Sequence, residues 1–198
     1  ALRHKQGPHT IVIRSTILPG TFRRVIVPAI EAVADKTAGR DFGIGLNPEF
    51  LREGSAVADF MAPAKTVIGA DDAAVADLVA ELYAGLPGVT VRTTPEIAEF
   101  VKYVDNSWHA LKVSFANEVG NLCKAAGVDS HAVMDIFGED RKLNISTVYL
   151  RPGFAFGGSC LPKDLRAMIS IAEQGQEAAP IMKAPIQSNE AHLDAPIA

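Results

Sequence analysis

One short segment combines a cysteine with the residue types that make a thiol nucleophilic. Residues 151–164 read Arg-Pro-Gly-Phe-Ala-Phe-Gly-Gly-Ser-Cys-Leu-Pro-Lys-Asp. The paired glycines let the backbone approach a ligand closely, and Pro162 favours a helix that starts just after Cys160. A helix N-terminus and a nearby lysine both stabilise a thiolate. The segment therefore predicts a nucleophilic Cys160, whereas Cys123 lies among apolar residues of a helical pattern and is predicted to be structural.

A second group of polar residues lies along one long predicted helix, which starts at Pro95 and ends near Ala126, before Gly127. When each residue advances by about 100°, four polar side chains fall in a sector of roughly 80°. They are Lys102, Asn106, His109 and Asn117. Apolar residues occupy much of the remaining surface, so this polar stripe needs partners. A polar ligand is one candidate, and a solvated stripe or a subunit contact explains the helix pattern equally well.

A third candidate segment, residues 47–54, follows the second predicted strand and reads Asn-Pro-Glu-Phe-Leu-Arg-Glu-Gly. Ligands in open α/β sheets bind beyond the carboxyl ends of strands, and Thr16 and Glu49 both occupy such positions. Glu49 and Glu53 can position water or bind sugar hydroxyls there. Arg52 and Glu53 can instead form an ordinary surface ion pair, which is the commoner explanation for adjacent opposite charges.

The composition excludes several classes of function. The 198 residues are 48% apolar and 21% charged, as in ordinary soluble globular proteins. The net charge of -4 leaves no overall basic field, which disfavours nucleic acid as a partner. No apolar run is long enough to cross a bilayer, and the first residues lack the features of a signal peptide. The histidines have no spacing typical of a metal site. We expect a soluble cytoplasmic protein without a metal or a membrane partner.

The order of predicted elements indicates an α/β fold in two parts. Short β-branched runs alternate with helical stretches over residues 1–93, as in the second part of a Rossmann-like parallel sheet. The predicted strands are Thr10–Arg14, Phe42–Leu46, Thr66–Gly69 and Val89–Val91, and the predicted helices between them are Phe22–Ala34 and Ala73–Tyr83. Residues 94–198 are predicted to form an all-helical domain. Because the chain opens on Ala1 in a short polar stretch, it is expected to begin in the middle of a fold.

Four motifs in this order resemble the UDP-glucose/GDP-mannose dehydrogenase family. They are Arg14-Ser-Thr-Ile-Leu-Pro-Gly-Thr21, Asn47-Pro-Glu-Phe-Leu-Arg-Glu-Gly54, Lys102-x3-Asn106 and Gly153-Phe-Ala-Phe-Gly-Gly-Ser-Cys-Leu-Pro-Lys-Asp164. The resemblance covers almost the whole chain. Within the family, Arg52 and the run Tyr149-Leu-Arg-Pro-Gly-Phe-Ala-Phe are more similar to the GDP-mannose enzymes than to the UDP-glucose enzymes.

The resemblance implies NAD-dependent oxidation of a nucleotide-sugar C6 alcohol to the uronate, here GDP-mannose to GDP-mannuronate, through a thiohemiacetal and a thioester on Cys160. Lys102 and Asn106 would stabilise the oxygen on the reacting carbon, and Glu49 would direct the hydrolytic water with support from Asp164. The positions matching nucleotide-sugar contacts are Glu53, His109, Asn117, Tyr149, Arg151 and Phe154. Thr16 and Lys163 match positions on the NAD side. The long helix, residues 95–126, matches the dimer-forming element of the family.

The chain departs from the family pattern in what it lacks. It carries no glycine-rich strand-turn-helix for the pyrophosphate of a dinucleotide and no counterpart of the C-terminal domain. By itself it is therefore expected to be a catalytic core that can be inactive. The alternatives are a UDP-glucose or other UDP-sugar 6-dehydrogenase, an inactive dimerisation fragment, and a two-electron hydroxyacid dehydrogenase. The last of these would not need a nucleophilic cysteine. The reactivity of Cys160 separates a catalytic core from a dimerisation fragment.

Overall fold

A computed structural model describes residues 1–52, 54–145, 155–156 and 160–194. For some residues inside the helices only the backbone is described, and these are Ser107, Ala110, Val113, Ser114, Cys160, Lys163, Asp164, Ala167, Met168, Ile171, His192 and Asp194. The chain divides into two compact units, Ala1–Trp108 and His109–Ala198. This division lies within a long helix, whereas the sequence places a domain boundary at the start of that helix, between residues 93 and 94. The boundary drawn from the sequence stays a prediction.

The first unit is built on a four-stranded sheet in the order β1-β2-β3-β4. The strands are β1 (Thr10–Ile13), β2 (Gly43–Leu46), β3 (Lys65–Gly69) and β4 (Val89–Thr93). The pairs β1/β2 and β3/β4 are parallel, as the sequence predicts, but β2 and β3 meet in an antiparallel contact of Leu46 with Gly69. The Asn47 side chain donates to the Val67 carbonyl at 2.8 Å. This bond joins the residue that follows β2 to β3, and the two stretches of chain run antiparallel to each other.

Helices cover both faces of this sheet. They are α1 (Val27–Ala34), α2 (Ala56–Met61), α3 (Ala73–Glu81) and the start of α4 (Pro95–Ala125). Side chains alternate along β3, so that Val67 joins the cluster with Phe22 and Ala98 on one face while Ile68 packs with α3 on the other. The sequence predicts all of these helices except α2, whose six residues are too few to show a helical period.

The helix predicted over Phe22–Ala34 forms with an irregular first part. Residues Phe22–Ile26 are π-helical, and α-helical geometry begins at Val27. Pro28 lies in the first turn of α1, where its missing N–H cannot donate to the Arg24 carbonyl. A proline inside a helix is expected to kink it. Here a wider turn precedes Pro28 instead, which is a usual way for a helix to accommodate a break in its hydrogen-bond ladder.

The helix α4 starts directly against the sheet because Gly69 leaves room for it. A Cβ atom added at Gly69 would lie 2.7 Å from the Ala98 Cβ and 2.8 Å from the Pro95 Cα. Only glycine permits this approach without displacing the helix backbone. From Pro95 the helix runs back past the sheet, at about 1.5 Å per residue. The contact at Gly69 thus fixes which residues of α4 reach the end of the sheet where Glu49 lies.

The second unit consists of the C-terminal part of α4 together with α5 (Ser130–Glu139), α6 (Cys160–Gln174) and α7 (Pro180–Asp194). Gly127 has a φ of +69°, and the Val128 N–H donates to the Cys123 carbonyl, so α4 ends where the sequence predicts. Asp129 caps α5 through the His131 and Ala132 amides. The core of the unit is Val119, Leu122, Ala172, Ala179 and Met182. Cys123 packs against this core, in agreement with its predicted structural setting.

A buried glutamate on α4 fixes the start of the helical segment that follows β1. Glu99, only 3% exposed, accepts hydrogen bonds from the Gly20 N–H at 2.7 Å and the Phe22 N–H at 2.9 Å, one on each carboxylate oxygen. These are amides at a helix N-terminus, which have no partner within the helix. Glu118 does the same in the second unit, where it accepts from the Ile181 and Met182 amides at the start of α7.

Replacing Glu99 with alanine is expected to lower the free energy of unfolding by about 1–3 kcal/mol, since two donors lose their acceptor in a buried site. Glu99→Gln is expected to be destabilising as well, because a carboxamide has one acceptor oxygen and would turn its NH2 group toward the second N–H donor. Urea unfolding followed by circular dichroism measures both effects. The control is Glu81→Ala at an exposed glutamate of α3, and equal stabilities for Glu99→Ala and this control would contradict the capping role.

Candidate active site

The carboxyl ends of β1 and β2 open onto one edge of the sheet. Because these strands are parallel and paired from Thr10/Gly43 to Ile13/Leu46, residues 14–16 and 47–49 leave the sheet side by side. The Thr16 side chain is exposed at this edge. The start of β3 lies at the same edge, since β3 runs antiparallel to β2. Three stretches of chain that are distant in sequence therefore meet there.

A lysine from α4 reaches this edge and pairs with Glu49. The Lys102 Nζ lies 3.1 Å from Glu49 Oε1, and the side chains are 9% and 33% exposed. Lys102 also lies over the Phe50 ring, 5.4 Å from its centroid. A buried ammonium group needs such partners, since burying an unpaired charge is costly. The structure thus brings together two of the residues that the sequence proposes for catalysis.

The electrostatic surroundings of Glu49 favour its ionised form. Partial burial by itself raises the pKa of this carboxyl, but the Leu51 amide and the Lys102 ammonium outweigh burial and hold the pKa of Glu49 below its ordinary value. The Leu51 N–H donates to Glu49 Oε2 at 2.7 Å. A smaller contribution in the same direction comes from the charge of Arg14. Glu49 is therefore an anion at neutral pH, able to accept a proton or a hydrogen bond from water.

A second lysine–carboxylate pair lies nearby, and its lysine contacts the same aromatic ring. Lys65 at the start of β3 lies 2.7 Å from an Asp105 oxygen, and its Nζ is 4.9 Å from the Phe50 centroid. Asp105 follows Lys102 by one helical turn on α4, so it could compete with Glu49 for the Lys102 ammonium. Asp105 pairs with Lys65 instead, so Lys102 stays paired with Glu49. Phe50 and Lys65 were not proposed from the sequence, where they appear as an ordinary apolar residue and a strand lysine.

The backbone that leads into Glu49 is fixed by a buried amide. Asn47 is 2% exposed, donates to the Val67 carbonyl at 2.8 Å and accepts a hydrogen bond from the Tyr83 hydroxyl. Both polar ends of the Asn47 side chain are therefore satisfied. Arg52, further along the segment, pairs with Asp59 at 2.6 Å. This ion pair provides a surface partner for Arg52 other than the Glu53 considered from the sequence.

The remaining residues of the predicted polar stripe are exposed. Asn106 lies one turn after Lys102 on α4, and His109 and Asn117 belong to the second unit. Asn117 lines a surface groove of about 790 Å³ between α4 and the start of α5, together with Asn121 and His131. The stripe is thus helical, as predicted, and Lys102 is its buried member.

Several proposed site residues lie outside the part of the chain that can be described. Glu53, Tyr149, Arg151 and Phe154 belong to the residues that are not described at all, and the side chains of Cys160, Lys163 and Asp164 are not described either. The backbone at Cys160 is described, and α6 begins at this residue. The sequence places Cys160 just ahead of the helix. In the structure it is the first helical residue, so the backbone position at a helix N-terminus is retained.

Among the described residues no group of three or more His, Cys, Asp and Glu side chains could hold a metal ion, and none of their helices is both long and apolar enough to cross a membrane. The described residues fit one side of a dinucleotide site, because the exposed Thr16 follows the carboxyl end of β1, where nucleotides bind in open α/β sheets.

The fold and the edge site define a dehydrogenase-like α/β unit whose sheet is followed by helices. Residues 2–87 match the NAD-binding domain of the UDP-glucose/GDP-mannose dehydrogenase family, and residues 96–191 match its central domain. The chain belongs to this family, and the cofactor named for its first domain is NAD. The predicted family and the predicted α/β fold class are confirmed.

Similar proteins include dehydrogenases of both nucleotide sugars. GDP-mannose 6-dehydrogenase of Pseudomonas aeruginosa is 52% identical over 96% of this chain and 43% of its own length. A UDP-glucose 6-dehydrogenase of Haloferax volcanii is 42% identical over 89% of the chain and 42% of its own length. The chain thus spans less than half the length of these relatives.

Solved structures agree with these relationships. The crystal structure of a ternary complex of GDP-mannose dehydrogenase from P. aeruginosa superposes with a TM-score of 0.95 at 50% identity, over 98% of this chain and 44% of the other. A UDP-glucose dehydrogenase from Pyrobaculum islandicum gives a TM-score of 0.67 at 39% identity, over 96% and 43% of the two chains.

Proposed function

We propose that the chain carries reacting side chains of an NAD-dependent GDP-mannose 6-dehydrogenase, which oxidises the C6 alcohol of the sugar to a carboxylate. The observation that carries this proposal is the buried Lys102 ammonium paired with Glu49 at the edge of the sheet. Such a pair supplies a cation for developing negative charge on oxygen and an anion for handling a proton.

The oxidation removes four electrons, and bound NAD supplies the hydride acceptor for each of its two stages. The first stage yields an aldehyde. The Cys160 thiolate then forms a bond to the aldehyde carbon, and the resulting thiohemiacetal becomes a thioester in the second stage. Water breaks the carbon–sulfur bond of the thioester, which gives the carboxylate and returns the thiol. The start of α6 at Cys160 supports this role, because a helix N-terminus stabilises a thiolate.

Lys102, together with Asn106, stabilises the oxygen on the reacting carbon at each stage. Glu49 directs the hydrolytic water, and its lowered pKa keeps it ionised for this purpose. Asp164 supports the same proton chemistry. The nucleotide sugar is bound by Glu53, His109, Asn117, Tyr149, Arg151 and Phe154. Thr16 and Lys163 contact NAD.

GDP-mannose is favoured over UDP-sugars by the comparisons. Six GDP-mannose 6-dehydrogenases are 49–52% identical to the chain, against 38–42% for two UDP-glucose 6-dehydrogenases. A hybrid dehydrogenase tests this directly: the chain replaces the aligned stretch of the P. aeruginosa relative, and NADH is followed by its absorbance. We expect two NADH per GDP-mannose and slower oxidation of UDP-glucose. A folded, NAD-binding hybrid that oxidises neither sugar, or that prefers UDP-glucose, would overturn the proposal.

The chain is also proposed to form a homodimer through its long helix, residues 95–126. Large apolar side chains on one side of α4 are 41–61% exposed within the first unit, and these are Ile97, Phe100, Val104 and Trp108. A contiguous apolar stripe of this kind is typical of a contact surface. We expect the wild-type chain to have the mass of a dimer by light scattering and Val104→Glu to shift it toward the monomer. Glu81→Ala serves as the control, and a wild-type monomer at all concentrations would contradict this proposal.

A further inference from the structure

An asparagine on α7 holds the backbone of the segment that precedes Cys160. The Phe156 N–H donates to Asn189 Oδ1 at 2.7 Å, and the Asn189 Nδ2 donates to the Phe156 carbonyl at 2.9 Å. Both residues belong to the second unit and both are half-buried. The side-chain amide thus binds both backbone polar groups of one residue, as a neighbouring strand would.

This pairing satisfies the backbone polar groups of a residue that belongs to no regular element. Phe156 lies in neither a helix nor a strand, so its N–H and C=O need partners from outside the segment. Asn189 supplies a donor and an acceptor in one rigid, planar group. An aspartate in its place would keep only the acceptor, and an alanine would keep neither. Asparagine is the smallest side chain that carries its donor and its acceptor on two separate atoms.

The position of Phe156 in the chain connects this contact with the cysteine. Phe156 precedes Cys160 by four residues, which limits their separation to about 14 Å, and Cys160 starts α6. The helices α6 and α7 share one apolar core through Ala172 and Met182. One end of the stretch 157–159 is therefore attached to α7 through Asn189, and the other end is the first residue of α6.

We propose that Asn189 is a positioning residue for Cys160, because it anchors the Phe156 backbone four residues ahead of the start of α6. Its importance for catalysis rests on the function proposed above. Asn189 acts through the Phe156 backbone and has no direct part in the reaction. Without it the Phe156 backbone loses its attachment to α7, and the backbone at the start of α6 is held less firmly ahead of Cys160. We expect the thiolate of Cys160 to be favoured less as a result, because a helix N-terminus stabilises it.

The test measures how fast iodoacetamide labels Cys160 as a function of pH, using the 198-residue chain and peptide mass spectrometry. Cys123 in the same molecule is the internal reference. In Asn189→Ala we expect labelling of Cys160 at pH 7 to slow by at least about fivefold, with its pH midpoint moving toward the ordinary thiol value of about 8.5. Labelling of Cys123 should not change. Ser188→Ala, at an exposed neighbour on α7, should behave as wild type.

Asn189→Asp keeps nearly the same shape and the acceptor for the Phe156 N–H. It therefore tests the positioning role of Asn189 if the alanine variant unfolds. Slower Cys160 labelling in either folded variant supports the proposal. Wild-type or faster labelling of Cys160, with an unchanged pH midpoint in both variants, overturns it. The two proposals fail in different ways. If wild-type Cys160 labels no faster than a simple thiol, the proposed catalytic role fails. If wild-type Cys160 is more reactive than a simple thiol and both variants leave that reactivity unchanged, only the positioning role of Asn189 fails.

Discussion

In the hybrid dehydrogenase, Lys102→Met is expected to lower kcat for GDP-mannose oxidation by about 10²–10³-fold, the usual cost of losing one preorganised group that stabilises charge on oxygen. Methionine keeps the length and the apolar stem of lysine, so the packing near Phe50 should change little. The substitution removes the ammonium group, whose nitrogen lies 3.1 Å from Glu49 Oε1. NADH formation at saturating GDP-mannose measures the effect on kcat.

KM for GDP-mannose should change much less than kcat, because the charge on oxygen develops mainly in the transition state. The matched control is Lys36→Met in the same unit, where a half-buried lysine donates to the Lys5 carbonyl. It should retain wild-type kinetics. A folded Lys102→Met hybrid that keeps more than about a tenth of the wild-type kcat would exclude the charge-stabilising role of Lys102. A large increase in KM alone would make Lys102 a binding residue.

The sequence predicts local structure well wherever local chemistry determines it. Short runs of β-branched or other apolar residues predict all four strands to within two residues, and Gly127 ends α4 through a left-handed backbone. Pro28 correctly indicates an irregular helix, although not its form. At the start of the π-helical turn Phe22–Ile26, the Glu99 carboxylate accepts hydrogen bonds from the Gly20 and Phe22 amides. That acceptor lies 77 residues from Phe22 in the sequence, so no local pattern reveals it.

The candidate site likewise contains residues that the sequence predicts and residues that only the folded structure brings together. Glu49 and Lys102 can be selected from the sequence because they lie in motifs that resemble those of the dehydrogenase family. The residues that lie next to this pair cannot be selected from motifs. Lys65 and Asp105 are 40 residues apart, and only the antiparallel entry of β3 together with the course of α4 places them around Phe50. Asn189, which has no distinctive neighbours in sequence, acquires its role from the packing of α7 against α6.

Cys160→Ser is expected to abolish the second oxidation stage while leaving the first possible. A serine hydroxyl is almost entirely neutral near pH 7, whereas a cysteine supplies thiolate there, so serine is a far weaker nucleophile toward the aldehyde. Steady-state NADH formation by the hybrid should fall by at least about 10³-fold, within the range for loss of a catalytic nucleophile. In a single turnover with excess enzyme, the NADH yield should fall from two per sugar toward one.

The number of NADH molecules formed per sugar distinguishes a nucleophilic Cys160 from a Cys160 with only a structural role. If Cys160 were structural, Cys160→Ser would slow both stages together and still yield two NADH per GDP-mannose. Cys123→Ser is the matched control, since that thiol packs against the core of the second unit and should give the full yield. Because an aldehyde cannot be oxidised by hydride loss until a nucleophile or water has added to it, the wild-type yield in Cys160→Ser would assign that addition to water and remove the sulfur from the mechanism.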